Sequence, residues 1–173
     1  MDTQIIRRIR VLLVIFMIGL ILSGLTAFPL EAELRLLGWS LGVDPTADPG
    51  SYDGLQQWIA RVGLALRETN AKYPFIAYGT DWLAFAHLVI AVAFIGPLRD
   101  PVRNIWVVTF GLIACFGVIP LALIAGGIRD IPLYWRLIDC SFGVFGAIPL
   151  WFARKDILLL EGRQIRRGGG SGG

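Results

Sequence analysis

The amino-acid sequence predicts an all-α integral membrane protein, a four-transmembrane-helix bundle with an extracytoplasmic helical cap between helices 1 and 2. The first observation behind this prediction is composition. Hydrophobic residues make up 55% of the chain and charged residues only 17%, a balance that ordinary soluble domains do not show. The second observation is that four long apolar runs lie along the chain, and short connections separate the last three. Those connections leave no room for a further domain between the helices.

Each apolar run is long enough to cross a bilayer. A helix rises ~1.5 Å per residue and the hydrocarbon core is ~30 Å thick. The runs Trp82–Leu98 and Asn104–Ile128 contain no Asp, Glu, Lys or Arg, whereas the last run carries Arg136 and Asp139 near its start. The predicted spans within one membrane domain, residues 1–167, are 11–28, 82–98, 104–128 and 133–153.

The segment between the first two spans, residues 29–80, is the predicted cap. Leucines at three- and four-residue spacing after Pro29 indicate a helix along the membrane interface. A loop rich in Pro, Gly and Asp follows, and a second amphipathic helix is predicted at about 54–69. Asp53 and Gln56 are spaced as in a capping box at the start of that helix. In the first span, Gly19, Ser23 and Gly24 form a patch of small residues that favours a close neighbouring helix.

Basic residues predict the orientation. On the side of the N-terminus they outnumber those of the other side, so both termini are predicted to be cytoplasmic, in a bacterial inner membrane. These residues are Arg7, Arg8, Arg10, Arg99, Arg103, Arg154, Lys155, Arg163, Arg166 and Arg167. Basic residues at the cytoplasmic ends of the spans account for the net charge of +3. Outside these flanks, the sequence has no basic patch interleaved with aromatic residues. We therefore exclude nucleic acid as a partner.

Two further features carry no predicted chemistry. Cys115 and Cys140 both lie inside apolar runs and belong to no CxxC or Cys/His pattern, which favours buried thiols without a metal. The C-terminal residues 168–173 are rich in glycine and resemble an expression linker, so we leave them out of the predicted fold.

Asp139 is the strongest candidate for a functional residue. A carboxylate about two turns inside a span is unfavourable in lipid and must face protein or water. An ion pair with Arg136, or with Arg129 in the preceding loop, is the structural alternative. His87, the only histidine, lies six residues after Asp81 and therefore at nearly the same depth as Asp139. A contact between the two side chains is geometrically allowed, and His87 alone is equally able to hold the helices in register by a hydrogen bond.

The candidate polar cluster is His87, Asp139, Arg136, Arg129 and Asp81. Two function classes remain open. In the first, the protein is a binding or accessory module that holds a lipid-like or quinone-like ligand, or a partner membrane protein, in the outer-leaflet half of the bundle. In the second, it is a membrane enzyme or a haem or quinone redox carrier that uses His87 and Asp139. The sequence names no cofactor or metal and leaves a homo-oligomer open, and a channel would require one.

Overall fold

The computed structural model describes residues 2–169, with side chains up to Arg166, and is all-helical within that range. Helix accounts for 86% of the chain, with no strand among the described residues. The helices are α1 (Asp2–Ala27), α2 (Leu30–Ser40), α3 (Gly54–Lys72), α4 (Tyr78–Ala93), α5 (Ile95–Arg99), α6 (Ile105–Ile128) and α7 (Leu133–Gly169). Short 3₁₀ turns at Pro49–Ser51 and Pro74–Ala77 precede α3 and α4. The predicted linker overlaps the end of α7, and its last residues, 170–173, lie outside the described residues.

Four helical segments are long and apolar enough to cross a membrane: Asp2–Ala27, Pro74–Arg99, Ile105–Ile128 and Leu133–Arg166. This confirms the all-helical class and the number of candidate spans. The last helix, α7, continues beyond the predicted span 133–153 to Gly169. Arg154 and Lys155 are good helix formers, and no proline follows them, so nothing in the sequence stops the helix at residue 153.

The chain divides into two compact units. The first unit comprises Met1–Leu20 and Ile90–Gly173, and the second comprises Ile21–Val89.

The core of the first unit is built from α1, α6 and α7 with Phe94 between α4 and α5. Phe94, Ile9, Leu13, Val108 and Leu150 have no exposed surface. Leu112, Cys115, Ala153, Ile157 and Leu160 complete this buried cluster. The rings of Phe16 and Phe94 pack with their centroids 4.8 Å apart. Burial of side chains of this size stabilises a fold by about 1.5–3 kcal/mol each in water, and in lipid their close packing provides the attraction.

Glycines allow α6 and α7 to pack closely. A Cβ at Gly143 would overlap the carbonyl oxygen of Cys115, and one at Gly146 would lie 3.0 Å from the Cys115 Sγ. A Cβ at Gly111 would lie 2.7 Å from both Leu150 and Phe94. Small residues at such positions let two helix backbones approach in a membrane, where van der Waals contact drives association.

Polar contacts join the ends of the first unit. Arg8 pairs with the buried carboxylate of Asp156 at 3.1 Å. Arg163 pairs with Asp2 at 3.2 Å, a bond that links the start of α1 to the last turns of α7. The Nε–H of Arg154 donates to the Thr109 hydroxyl at 3.1 Å and ties α7 to α6.

In the second unit, α2 ends in a Schellman motif. Gly42 adopts a positive φ of 71°, the N–H of Val43 donates to the carbonyl of Gly38 at 2.8 Å, and the N–H of Gly42 donates to the carbonyl of Trp39 at 3.1 Å. These bonds satisfy carbonyls that the end of a helix leaves unpaired. Val43 is thereby turned inward and is buried against α2.

The second amphipathic helix is confirmed as α3, but its predicted capping box is wrong. Asp53 occupies the N-cap position without a side-chain capping bond. Gln56 donates instead to the carbonyl of Leu41 at 2.7 Å and so links α3 to the end of α2. The carbonyls left by the Schellman turn compete successfully for the Gln56 amide. Ile59 and Ala60 are buried, whereas Leu55 is 40% exposed.

The small-residue patch of the first span makes its close contact at Gly24. A Cβ there would lie 2.9 Å from the Ala84 carbonyl oxygen and 3.1 Å from the His87 Cβ. Gly19, by contrast, has no neighbouring atom within 4 Å of an added Cβ. The glycine that α4 requires is therefore Gly24.

Gly143→Ala is expected to lower the melting temperature in detergent, because its Cβ would push α7 away from the Cys115 carbonyl. Overpacking of this kind destabilises proteins by about 1–3 kcal/mol. Gly162→Ala, in the same helix with open space around the added Cβ, is the matched control and should be neutral or stabilising, since alanine is the better helix former. Equal melting temperatures for the two variants would contradict the proposed close contact.

Candidate functional site

A groove lies between α2 and α3 in the second unit. Its volume is about 400 Å³. Its apolar lining includes Leu34, Trp39, Val43, Ile59 and Leu66. The groove exists because small residues face each other across the two helices, and these include Ala32, Gly38, Ala60 and Gly63. Its size falls within the range of pockets that hold small organic ligands.

The loop after α2 closes one end of the groove. The guanidinium of Arg67 donates to the carbonyl of Pro45 at 2.5 Å, and the Tyr52 hydroxyl accepts from the N–H of Asp44 at 2.9 Å. Asp44 itself accepts from the Thr46 N–H and hydroxyl, both at 2.8 Å. These bonds hold the loop against α3, so the groove is bounded by a fixed segment at this end.

A second cavity of about 350 Å³ adjoins the groove, and Glu31, Ala32, Arg35 and Leu66 line both. Its polar groups come from Glu31, Arg35, Asn70 and Thr80. The Nδ2–H of Asn70 donates to the Glu31 carboxylate at 3.2 Å. The Thr80 hydroxyl donates to the Ala77 carbonyl at 2.6 Å, which leaves its oxygen lone pairs free to accept.

The Asn70 side chain lines this cavity, but its Oδ1 atom is buried away from it and has no hydrogen-bond partner among the described residues. The orientation of the amide follows from Glu31, because a flipped amide would place Oδ1 against a carboxylate oxygen, and two acceptors repel. A buried acceptor without a donor is unfavourable by about 1–3 kcal/mol.

Arg35 contributes the cation that both cavities share. Its side chain is exposed, and its guanidinium forms neither an ion pair nor a hydrogen bond with the described residues. Arg67, the other arginine of the groove, is engaged by the Pro45 carbonyl. Arg35 is therefore the guanidinium of this site that is available for an anionic group.

His87, from the predicted cluster, lies half-buried on α4. Its Nδ1 lies 2.8 Å from the carbonyl oxygen of Leu83, one turn earlier. A carbonyl only accepts, so this bond requires the proton on Nδ1 and leaves Nε2 as an acceptor in the neutral ring. The predicted contact between His87 and Asp139 joins residues of different units, and it stays a prediction.

The ion pair offered as the structural alternative for Asp139 is not formed. Within the part of the chain that the structure describes, no cation lies within 4.0 Å of the Asp139 carboxylate. Arg136 turns instead toward the end of α6, where its Nη1–H donates to the Leu123 carbonyl at 3.3 Å. Its stem occupies the space that a side chain at Gly126 would take. The negative end of the α6 dipole attracts the guanidinium, and Gly126 gives it room.

Arg129 and Asp81 are the remaining residues of the candidate polar cluster. Arg129 caps the end of α6 through its backbone N–H, and its side chain is exposed. Asp81 is half-buried in the first turn of α4. Arg136 thus contacts the end of α6. The side chains of Arg136, Arg129 and Asp139 do not form one polar cluster.

Sequence reasoning missed the groove. The available signal was the set of alanines and glycines on the facing sides of α2 and α3, together with Glu31 and Arg35 four residues apart on one helix face. Among residues 2–169, no three His, Cys, Asp or Glu side chains lie close enough to hold a metal ion.

The fold and the groove define an all-helical chain with four potential membrane spans and an amphipathic cavity between two shorter helices. Comparison of the chain with protein-family models, curated proteins and solved structures finds no match.

The pKa of the Asp44 carboxyl reports on the hydrogen bonds of the loop that closes the groove. The Thr46 N–H, and after it the Thr46 hydroxyl, hold the pKa of the Asp44 carboxyl below its ordinary value of 3.8. A lowered pKa in the folded state means that this turn is stabilised above the ordinary carboxyl pKa and loses that stabilisation as the pH falls through the folded pKa. Thr46→Val should raise the Asp44 pKa, measured by carboxyl-carbon NMR titration. Thr46→Ser, which keeps the hydroxyl, is the control, and equal titration of both variants would contradict this assignment.

Proposed function

We propose that the protein is a membrane binding module that holds a lipid-like ligand in the groove between α2 and α3. One observation carries this proposal: an apolar groove of about 400 Å³ opens beside a second cavity with a carboxylate, an amide and a free guanidinium. Adjacent apolar and polar regions are complementary to an amphiphile, whose chain is driven out of water and whose head group needs hydrogen-bond partners.

Exposed apolar side chains of α2 at the groove support access from a membrane. Leu36 is 65% exposed and Trp39 is 78% exposed. An exposed apolar helix face with a tryptophan is typical of a helix at the membrane–water interface, where the indole lies at the level of the head groups. With residues 29–80 as the extracytoplasmic cap, a ligand would enter the groove from the outer leaflet.

This proposal keeps the ligand class expected from the sequence and moves its site. The sequence interpretation placed a lipid-like or quinone-like ligand near His87, Asp139 and Arg136. Arg136, however, is engaged at the end of α6, whereas the groove offers space lined by apolar side chains. The proposed partner of the long apolar helices is the lipid bilayer, and a second copy of the chain or another membrane protein would compete for the same exposed faces.

Filling the groove tests the proposal. A Cβ at Gly63 would meet only the Arg67 Nη1, at an ordinary contact distance of 3.6 Å, and leucine is a better helix former than glycine. Gly63→Leu should therefore fold well while its side chain occupies the groove. We expect binding of a fluorescent fatty-acyl phospholipid, measured by titration in detergent, to weaken by about tenfold or more, which corresponds to ~1.4 kcal/mol.

Ala65→Leu is the matched control. Ala65 lies on α3 two residues away, is exposed and does not line the groove. Its variant adds the same side chain to the same helix and should bind the probe as the wild type does. Wild-type protein that binds no acyl probe, or equal binding by the two variants, would overturn the proposed function.

Membrane sidedness is tested separately by cysteine labelling. Ser51 and Gln164 are both exposed, so Ser51→Cys and Gln164→Cys can each be introduced after Cys115 and Cys140 are replaced by alanine. With both termini cytoplasmic, a membrane-impermeant maleimide should label position 51 in intact cells and position 164 only after lysis. Labelling of position 164 in intact cells would reverse the orientation that the basic residues predict.

A further inference from the structure

We infer that the polar cavity beside the groove takes a zwitterionic phosphoethanolamine head group, with its phosphate on Arg35 and its primary ammonium on the acceptor oxygens of Glu31 and Thr80. This inference rests on the proposed function, because the lipid chain would occupy the groove. It adds the class of head group.

The arrangement of charges supports a head group with both signs. Arg35 lines both cavities and has no partner among the described residues, so it is available to a phosphate, for which a guanidinium is well suited. Glu31 lies one helical turn before it on α2 and carries the opposite charge. A ligand with a single negative charge would pair with Arg35 but would also meet the carboxylate of Glu31.

The acceptors that line the cavity favour a donor on the cationic end. These acceptors are the Glu31 carboxylate and the Thr80 oxygen. A primary ammonium has three N–H donors and can bond to both. A quaternary ammonium has no N–H donor and can bond to neither.

The three parts of the site match the three parts of one molecule. The apolar groove fits the acyl chains, Arg35 at the junction of the two cavities fits the phosphate, and the acceptors of the second cavity fit the ammonium. On α2, Arg35 lies one turn after Glu31 and before Gly38 and Trp39, which line only the groove. The phosphate is therefore placed between chain and ammonium, as it is in the covalent order of a phosphatidylethanolamine.

The experiment compares lipids with identical acyl chains and different head groups. Purified protein in nanodiscs of a fixed neutral background lipid is titrated with phosphatidylethanolamine, phosphatidylcholine or phosphatidylglycerol, and bound lipid is quantified by native mass spectrometry. We expect phosphatidylethanolamine to bind about tenfold more tightly than either of the others, equivalent to ~1.4 kcal/mol. Equal binding of all three would overturn the head-group inference and leave the acyl-groove proposal standing, whereas no lipid binding would overturn both.

Two variants, each with a matched control, test the roles of Glu31 and Arg35 in head-group binding. Glu31→Gln keeps the bond to Asn70 and removes the charge, and it should abolish the preference for phosphatidylethanolamine over phosphatidylglycerol. Glu33→Gln, on the same helix and outside both cavities, should retain it. Arg35→Gln should weaken all three phospholipids, and the exposed Arg61→Gln on α3 should weaken none. A preference that survives Glu31→Gln would overturn the assignment of Glu31.

Competition with soluble phosphoethanolamine shows whether the site binds a lipid or a soluble phosphate ester. Because the acyl chains fill the groove, soluble phosphoethanolamine at a concentration equal to the lipid should not displace it. Displacement at equal concentration would show that the site binds the soluble ester, and would overturn the lipid form of the inference.

Discussion

The contact between Gly143 and the carbonyl of Cys115 sets the distance between α6 and α7. In hydrocarbon, backbone groups must be satisfied within each helix, so the chain crosses as helices or not at all. Helices in lipid then lack the hydrophobic driving force that assembles soluble proteins, and association depends on how closely their surfaces fit. The absence of a side chain at Gly143, Gly146 and Gly111 is what provides that fit. Phe94 and Leu150 fill the space beside it, and the buried core around them follows from this spacing.

Charged groups in the first unit lie near backbone carbonyls and helix ends as well as near opposite charges, while the Arg136 Nε and Asp156 Oδ2 atoms form no hydrogen bond with the described residues. Arg136 donates to the Leu123 carbonyl near the negative end of α6, and Asp156 is buried against Arg8. A buried charge that keeps an electrostatic partner avoids the penalty of an isolated ion. Arg136 shows that the partner need not be the nearest acid in sequence, because a helix terminus with room beside it competes with a carboxylate one turn away.

The parts of the fold that depend on composition and periodicity were predictable from the sequence. Apolar runs identified four helices able to span a membrane, the spacing of leucines identified α2, and the amphipathic pattern of apolar residues identified α3. Hydrogen bonds for which several groups of the folded chain compete were not predictable from the sequence. Gln56 could have closed a capping box, but the Leu41 carbonyl becomes its partner only after the Schellman turn has formed. The groove was hardest to predict. Gly38 and Gly63 leave space for it because glycine has no side chain, and such positions produce no periodic pattern of hydropathy.

The pair formed by Asp2 and Arg163 has a consequence for biosynthesis. These residues are separated by 161 positions, and the first unit as a whole takes its chain from both ends of the protein, whereas the second is one continuous stretch. Contacts between distant residues form slowly, because a long loop must close first, and domains made during translation fold from the N-terminus onward. The second unit is complete as soon as residue 89 has been synthesised. The start of α1, by contrast, can pair with Arg163 only after residue 163 has been synthesised.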